Sequence, residues 1–438
     1  MNKAIYFILL AAVSLFSCQK ENPITPNANI VIEGVASTEN ISLPQDGSLL
    51  LKAAVSNTTD FSVTWSVNGK EVSQEKEYTF VATGPGEYRI ILKVLNHDGG
   101  QSETHITIHV YGKYKHGTFV LNEGNMTSEN GSLIFISPEG TVTDSAYWRV
   151  NDSFLGNSTQ DLYITGNKMY ILSQNGGGDG RLVVANAETL EKSAGYDSEL
   201  SALSRATHVA VAGDNAYIRD NNGVHLFNLK SKTLTLIEGS GGAAKNRMAV
   251  VGEKVFVPAG KKVFVIKGNA VIHTIELDGS VSGVIKTADN HLYVSCTTSP
   301  AQINKISASD YSVLQSNEIT DAKVGAGYGS TPGISAKGDT IYFSNATTKI
   351  YRHIFSKKQT DYMTDVKDHI QNAGIVYNNL GVDPGTGEVY FNTIKGYGTD
   401  FLINDISVFN FSGATPVLKA DYKDYTHFPS GIFFTGNY

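Results

Sequence analysis

The chain has 438 residues, a length that corresponds to two or three domains of ordinary size. Apolar residues make up 41%, among them 22 Tyr, 19 Phe and 2 Trp, so the chain can bury a large core and is not globally disordered. Its 35 basic and 42 acidic residues give a net charge of −7 with no basic block, which excludes a role in binding nucleic acid.

Residues 1–17 have the pattern of an export signal, with Lys3 followed by an apolar run too short to span a membrane. The sequence LFSC at positions 15–18 resembles a bacterial lipobox, which predicts acylation of Cys18; ordinary cleavage nearby is the alternative. Residues 18–27 are polar and contain two prolines, as expected of a tether. We therefore predict a mature protein that its lipid alone tethers to a membrane. Lys20-Glu21 resembles part of the surface-export signal of Bacteroidota lipoproteins, and this resemblance implies the outer membrane and the cell surface.

Residues 28–111 show the two-residue periodicity of β-strands throughout. The segment FSVTWSVNGKEV alternates around Trp65 and turns at Asn68-Gly69, and GEYRIILKVLNHDGG repeats this pattern with its own Asp-Gly turn. These hairpins predict a β-sandwich with Trp65 at its centre. The segment resembles the PKD-like (Ig-like) domains of bacterial surface proteins, and the resemblance implies a spacer.

Residues 113–438 contain an internal repeat in which an apolar strand, a Gly, Asp or Asn turn and an aromatic strand follow one another, as in LYITGNKMYIL and ISAKGDTIYFS. The aromatic residue recurs at intervals of roughly 45 residues, the size of one propeller blade. These positions are Tyr170, Tyr217, Phe256, Tyr293, Tyr342 and Tyr390.

A seventh unit is divided between the two ends of this region. SGIFFTG near the C-terminus has the form of a first strand, and TFVLNEG around Phe119 has the form of the second strand that should follow it. Pairing the two would close the ring and remove its exposed sheet edges. The predicted fold class is therefore all-β, an Ig/PKD-like β-sandwich followed by a seven-bladed β-propeller, with six or eight blades as less favoured counts.

Common catalytic signatures are missing from the sequence: there is no HExxH, GxSxG, Walker A or CxxC motif. GAGYGST at Gly325 lacks the lysine of a phosphate loop, and the turn at Asp220 lacks the downstream glutamate of a calcium loop. With Cys18 acylated, Cys296 has no disulfide partner and is predicted to be a buried thiol. We predict no catalytic residues, no metal and no cofactor of the protein itself.

Polar residues gather where the first strand of each repeat begins and where the second ends, positions that share one mouth of a propeller. Such residues are suited to a large neutral polar ligand, although they are also ordinary turn and strand-end residues. Longer loops add rings, which bind at low entropic cost or pack between blades. The predicted ligand-binding residues are Gln160, Asp161, His208, Arg247, Tyr328, Asn378, Asn379 and Tyr397.

FVLNEGNMTSENGSLIFIS and EVYFNTIKGYGTDFLINDISVFNF resemble the DUF5074/YncE-like propeller lipoproteins of Bacteroidota. The resemblance implies a cell-surface protein that captures cobalamin (vitamin B12) or another corrinoid for a TonB-dependent outer-membrane transporter. Cobalamin would then be a transported ligand. No ligand residue is transferred by motif.

Two other functions are compatible with the sequence. A surface glycan would present hydroxyls to the same amide, carboxylate and aromatic groups. A propeller lyase or hydrolase would need a cluster of ionisable groups with shifted pKa values inside the funnel, for which Asp161, Glu123, His208 and Arg247 are the candidates.

Overall fold

The structure is a computed structural model that describes residues 27–35, 41–325, 331–378, 380–413 and 415–435. It divides into two compact units at the boundary between Tyr111 and Gly112. The predicted fold class is confirmed, since strands dominate both units. Among the described residues, no helix has the length and apolar character needed to cross a membrane. The predicted signal and Cys18 lie outside them.

The first unit contains two sheets, with strand orders β1-β3-β6 and β2-β8-β7-β4-β5. Trp65 is fully buried between them, and its Nε1–H donates to the Glu75 carbonyl at 2.9 Å. In FSVTWSV, side chains alternate between the two faces of the strand, so Val63 and Trp65 lie on the same face and are buried in the core. The strands are β1 (Asn29–Glu33), β2 (Ile41–Pro44), β3 (Ser48–Ser56), β4 (Phe61–Val67), β5 (Lys70–Ser73), β6 (Glu77–Val81), β7 (Gly86–Asn96) and β8 (Gln101–Tyr111).

The second unit contains seven antiparallel sheets, each of which is one blade. Blade 1 joins β9 (Thr118–Asn122), β10 (Ser132–Ile136) and β11 (Val142–Thr143) to the last strand of the chain. The one α-helix of the described chain, α1 (Ala146–Asn151), leads from blade 1 to blade 2. Short 3-10 turns lie at Ser198–Leu200, Val366–Asp368 and Gly398–Leu402.

Blades 2 to 4 each consist of four consecutive strands. These are β12 (Asn157–Thr165), β13 (Lys168–Asn175), β14 (Leu182–Asn186) and β15 (Lys192–Tyr196) in blade 2; β16 (His208–Ala212), β17 (Asn215–Asp220), β18 (Gly223–Asn228) and β19 (Leu234–Leu236) in blade 3; and β20 (Ala249–Val251), β21 (Lys254–Ala259), β22 (Lys262–Lys267) and β23 (Ala270–Glu276) in blade 4.

Blades 5 to 7 repeat this plan, with the first strand of blade 7 broken in two. The strands are β24 (Val281–Lys286), β25 (Leu292–Cys296), β26 (Ala301–Ile306) and β27 (Val313–Ile319) in blade 5; β28 (Ser335–Lys337), β29 (Thr340–Phe343), β30 (Lys349–Ile354) and β31 (Gln359–Asp365) in blade 6; β32 (Ile375–Val376), β33 (Gly381–Val382), β34 (Val389–Ile394), β35 (Asn404–Asn410) and β36 (Val417–Lys423) in blade 7; and β37 (Pro429–Phe434) in blade 1.

The C-terminal strand β37 is the innermost strand of blade 1. It pairs with β9, with Phe433 opposite Phe119 and Ile432 opposite Val120. Inner strands contact one another around a central channel: β37 with β12, β12 with β16, β16 with β20, β20 with β24, β28 with β33 and β33 with β37. Between blades 5 and 6, the Gly333 amide donates to the Ser282 carbonyl at 2.8 Å.

Candidate functional site

The inner strands of a propeller run in the same direction, so the channel has two distinct ends. We call the end at which the inner strands begin the upper mouth, and the end at which they finish the lower mouth. Connections from second to third strands, and from one blade to the next, also lie at the upper mouth.

Glu123, Gln160 and Tyr377 form a polar cluster at the upper mouth. Gln160 and Tyr377 both hydrogen-bond to the Glu123 side chain. Burial raises the pKa of Glu123, while the charge of Lys245 and the two hydrogen bonds oppose the rise. Because the Gln160 amide NH₂ donates to the carboxylate, its Oε1 is still free to accept, and no donor in the described chain reaches this buried atom.

The second strand of blade 7 adds more polar atoms beside this cluster. Thr393 pairs with Val376, the residue before Tyr377, and Asn392 precedes it. The Asn392 amide and the Thr393 hydroxyl are buried, and neither has a hydrogen-bond partner among the residues the structure describes. A buried amide without a partner is costly, so a ligand whose own amide groups bonded to these atoms would offset that cost.

Aromatic rings surround the polar cluster. The ring centroids of Tyr377 and Phe428 are 5.5 Å apart, and Phe428 stacks on Phe401 at 4.4 Å. Tyr397 stands at the start of the short 3-10 turn Gly398–Leu402 with its side chain 57% exposed. It lies at the mouth for which the sequence predicted it.

Further exposed apolar residues follow on blades 1 and 2. Trp148 and Phe154, 41% and 55% exposed, stack with centroids 6.2 Å apart on the connection between these blades. Met126, in the β9–β10 loop, is also exposed, and its carbonyl accepts from Asn175 at 3.3 Å. We call the exposed apolar residues at this mouth the apolar set; they are Met126, Trp148, Phe154, Tyr397 and Leu402.

A cavity of about 400 Å³ opens beside the Trp148–Phe154 stack. Its lining also includes Asp424 and the pair Glu129 and His427, whose Oε1 and Nδ1 are 2.5 Å apart. Carboxylate, imidazole and stacked rings therefore share one recess next to the upper mouth.

Asp161 and Arg247 lie deeper, inside the channel. Arg247 Nε donates to Asp161 Oδ1 at 3.1 Å, and Asp161 Oδ2 accepts from the Val209 amide at 3.1 Å. Burial raises the pKa of Asp161 to about 6 even though Arg247 and the backbone amides favour its charged form. Burial also lowers the pKa of Arg247, and Asp161 opposes that shift. The two residues form an internal ion pair rather than part of the rim.

His208 and Asn378 are buried and serve the scaffold. His208 Nδ1 lies 2.9 Å from the Thr207 hydroxyl at the start of β16. Asn378 donates to the Pro429 carbonyl at 2.7 Å and so ties blade 7 to the closing strand. The predicted residues Tyr328 and Asn379 lie outside the described residues.

Sequence reasoning missed Phe154 and Phe401 in the predicted site. The available signal was the presence of large apolar residues in blade connections that are otherwise polar. For metal binding, a search of the described residues finds no group of three His, Cys, Asp or Glu side chains placed to hold an ion.

Two family models match this chain. The PKD-like domain model covers residues 37–96, and a model described as a domain of unknown function, DUF5074, covers residues 116–435. The chain belongs to the DUF5074 family. No curated protein matches this DUF5074 chain.

Solved structures resemble it in fold. A quinonprotein alcohol dehydrogenase-like protein from Bacteroides thetaiotaomicron VPI-5482 is 17% identical, with a TM-score of 0.53 over 94% of this chain and 100% of that one. A structural genomics protein of unknown function from the same organism is 15% identical, with a TM-score of 0.34 over 74% of this chain and 96% of that one. The likeness to the first of these, at 17% identity, concerns the fold and carries no activity to the DUF5074 protein.

Proposed function

We propose that this chain is a non-catalytic, lipid-anchored surface protein that binds a large neutral polar ligand, with a corrinoid such as cobalamin as the first candidate. In this proposal it passes the ligand to a TonB-dependent outer-membrane transporter. The observation that carries the proposal is the upper mouth, where buried amide groups without partners in the described chain lie beside exposed rings.

The chemistry of a corrinoid complements this mouth. Its rim carries acetamide and propionamide groups, which can donate to Gln160 Oε1 and exchange hydrogen bonds with the Asn392 amide. Its planar macrocycle offers a broad face for contact with rings such as Tyr397 and Trp148. The ligand is neutral over most of its surface, which fits a rim whose carboxylate, Glu123, is already engaged by two side chains.

The test is calorimetric titration of the Cys18→Ser chain, which lacks the proposed lipid, with cyanocobalamin and with cobinamide. We expect saturable binding and a higher melting temperature with ligand, since binding to the folded state alone stabilises it. Truncating a central anchor with Tyr397→Ala should weaken binding by about 2 kcal/mol, or roughly thirtyfold.

Tyr362→Ala is the matched control, because Tyr362 is 54% exposed on β31, an outer strand of blade 6. It should leave corrinoid affinity unchanged. Absence of heat and of stabilisation with both corrinoids would remove the corrinoid proposal. Equal effects of the two substitutions would leave binding in place but move it away from the upper mouth.

A surface glycan is the second candidate, and the recess beside Trp148 and Phe154 is what favours it. Stacked exposed rings that share one recess with Glu129 and Asp424 match a sugar, which presents an apolar face and a ring of hydroxyls. A glycan-array signal that Trp148→Ala abolishes and Tyr362→Ala retains would replace the corrinoid with this ligand.

A further inference from the structure

Below the Asp161–Arg247 pair, the channel widens into a cavity of about 670 Å³. Its walls come from the final residues of the inner strands and from the hairpins that follow them, including Ile164, Val250, Lys337 and Phe434. The cavity therefore faces the lower mouth, whereas the apolar set lies at the upper mouth. Its volume is within the range of small-molecule sites, roughly 300 to 1,000 Å³.

The charged residues that line this cavity are all cationic. Arg247 lies at its inner end, while Lys286 and Lys337 lie on the hairpin side. No Asp or Glu is among the described residues that line it. This local excess contrasts with the net charge of −7 of the whole chain. A cavity of one sign attracts ligands of the other.

Carboxylates in the same hairpins are engaged elsewhere. Asp289 pairs with Lys305 at 2.6 Å and also accepts from the hydroxyl of Thr287, a residue of the cavity lining. Asp339 accepts from the amide and hydroxyl of Ser356, and Asp383 accepts from the amide of Gly385 within its own turn. Lys337 Nζ donates to the Gly385 carbonyl at 2.5 Å, and neither cavity lysine forms an ion pair with these carboxylates in the described chain.

Arg247 is held rigidly in place. Its guanidinium lies 3.9 Å from the centroid of the Phe433 ring, with Nε bound to Asp161. A Cβ on Gly431 would come within 1.9 Å of Arg247 Nη2, so only glycine at this position lets the guanidinium lie across the channel. Nη1 donates to the Ile432 carbonyl at 3.4 Å, and the buried Nη2 has no acceptor within the described part of the chain. The arginine thus keeps donor capacity beyond its ion pair.

We propose that this cavity is a second binding site, for a small molecule that carries a phosphate or carboxylate group and enters through the lower mouth. Arg247 fixes the anionic group at the inner end, where a planar guanidinium matches either acid. Lys286 and Lys337, on the hairpin side of the cavity, attract the anionic group by their positive charge. The site is independent of the ligand at the upper mouth.

The test is titration of the Cys18→Ser chain with inorganic phosphate and, separately, with citrate, at constant ionic strength, followed by calorimetry and melting temperature. We expect saturable binding of at least one anion, and the tighter of the two assigns the acid group. Lys286→Gln combined with Lys337→Gln should weaken that binding at least tenfold. Both side chains are exposed, so folding should be unaffected.

The control is Lys168→Gln combined with Lys357→Gln, which removes two exposed lysines from hairpins at the same end but outside the cavity. It should leave anion affinity unchanged. Gly431→Ala, which forces Arg247 to move, should weaken binding in a variant whose melting transition confirms that it is folded.

Three results would overturn the proposal: no saturable binding of either anion, equal weakening by the two double variants, or full affinity in folded Gly431→Ala. The cavity variants should also leave corrinoid affinity unchanged, which separates this site from the upper mouth.

Discussion

Phe433→Ala tests whether the C-terminal strand closes the propeller. Phe433 is 9% exposed, lies opposite Phe119 on β9 and packs in the core shared by blades 1 and 2. Removing a buried phenylalanine ring costs about 3 to 5 kcal/mol. Loss of the ring beneath the Arg247 guanidinium adds roughly 0.5 to 2 kcal/mol.

At roughly 2.1 cal/mol/K of unfolding entropy per residue, each kcal/mol lowers the melting temperature of a unit of this size by about 1.5 °C, so we expect a fall of about 5 to 10 °C. Differential scanning calorimetry measures it, and hydrogen exchange at the β9 amides should rise in parallel. Tyr362→Ala removes an exposed ring and should shift melting by no more than about 2 °C. A Phe433→Ala shift as small as that of the control would refute a closing role for β37.

Three further changes address pH dependence, the channel ion pair and the anchor. Burial, and after it the nearby charge of Asp421, raises the pKa of Asp405 to about 6. The folded state therefore binds more protons than the unfolded state between about pH 4 and 6, so the free energy of unfolding should fall as pH rises through this range. Asp405→Asn should lessen that fall in melting curves taken across the same range. Arg247→Met alone should cost about 3 to 5 kcal/mol in urea unfolding because it leaves Asp161 buried without its partner, and Asp161→Asn in the same chain should restore much of the loss. Cys18→Ser should move the protein from the membrane fraction to the soluble fraction, and persistent membrane association would indicate another anchor.

The blade pattern was readable from sequence because it depends on local chemistry repeated many times. Each repeat has its own apolar alternation and its own turn, as in VAVAGDNAYIR, whose strands pair with Ala210 opposite Tyr217. Where the pattern of one repeat is ambiguous, the regular spacing of the other repeats shows where its strands lie. The same argument applies to Trp65, whose burial follows from alternation on either side of it.

The Asp161–Arg247 pair could not be derived in this way. The two residues are 86 positions apart and belong to different blades, and they meet only because the inner strands converge on one axis. Sequence placed both at a rim, since each stands near the start of an inner strand. Their depth depends on the bulge between Thr159 and Asp161 and on the space left by Gly431, which no local pattern expresses.

Two buried amides at strand ends show why ligand residues were the least predictable feature. Asn404 donates to the Phe401 and Thr426 carbonyls and accepts from the Thr426 amide, so its side-chain amide is engaged by the backbone of the propeller itself. Gln160 gives its donor to Glu123 and retains an acceptor without a partner in the described chain. In sequence both are amides beside a strand, where turn formation and ligand binding select the same residue types. Only the count of donors and acceptors in three dimensions separates the two roles, and it favours Gln160 over Asn404 as the residue that a ligand would contact.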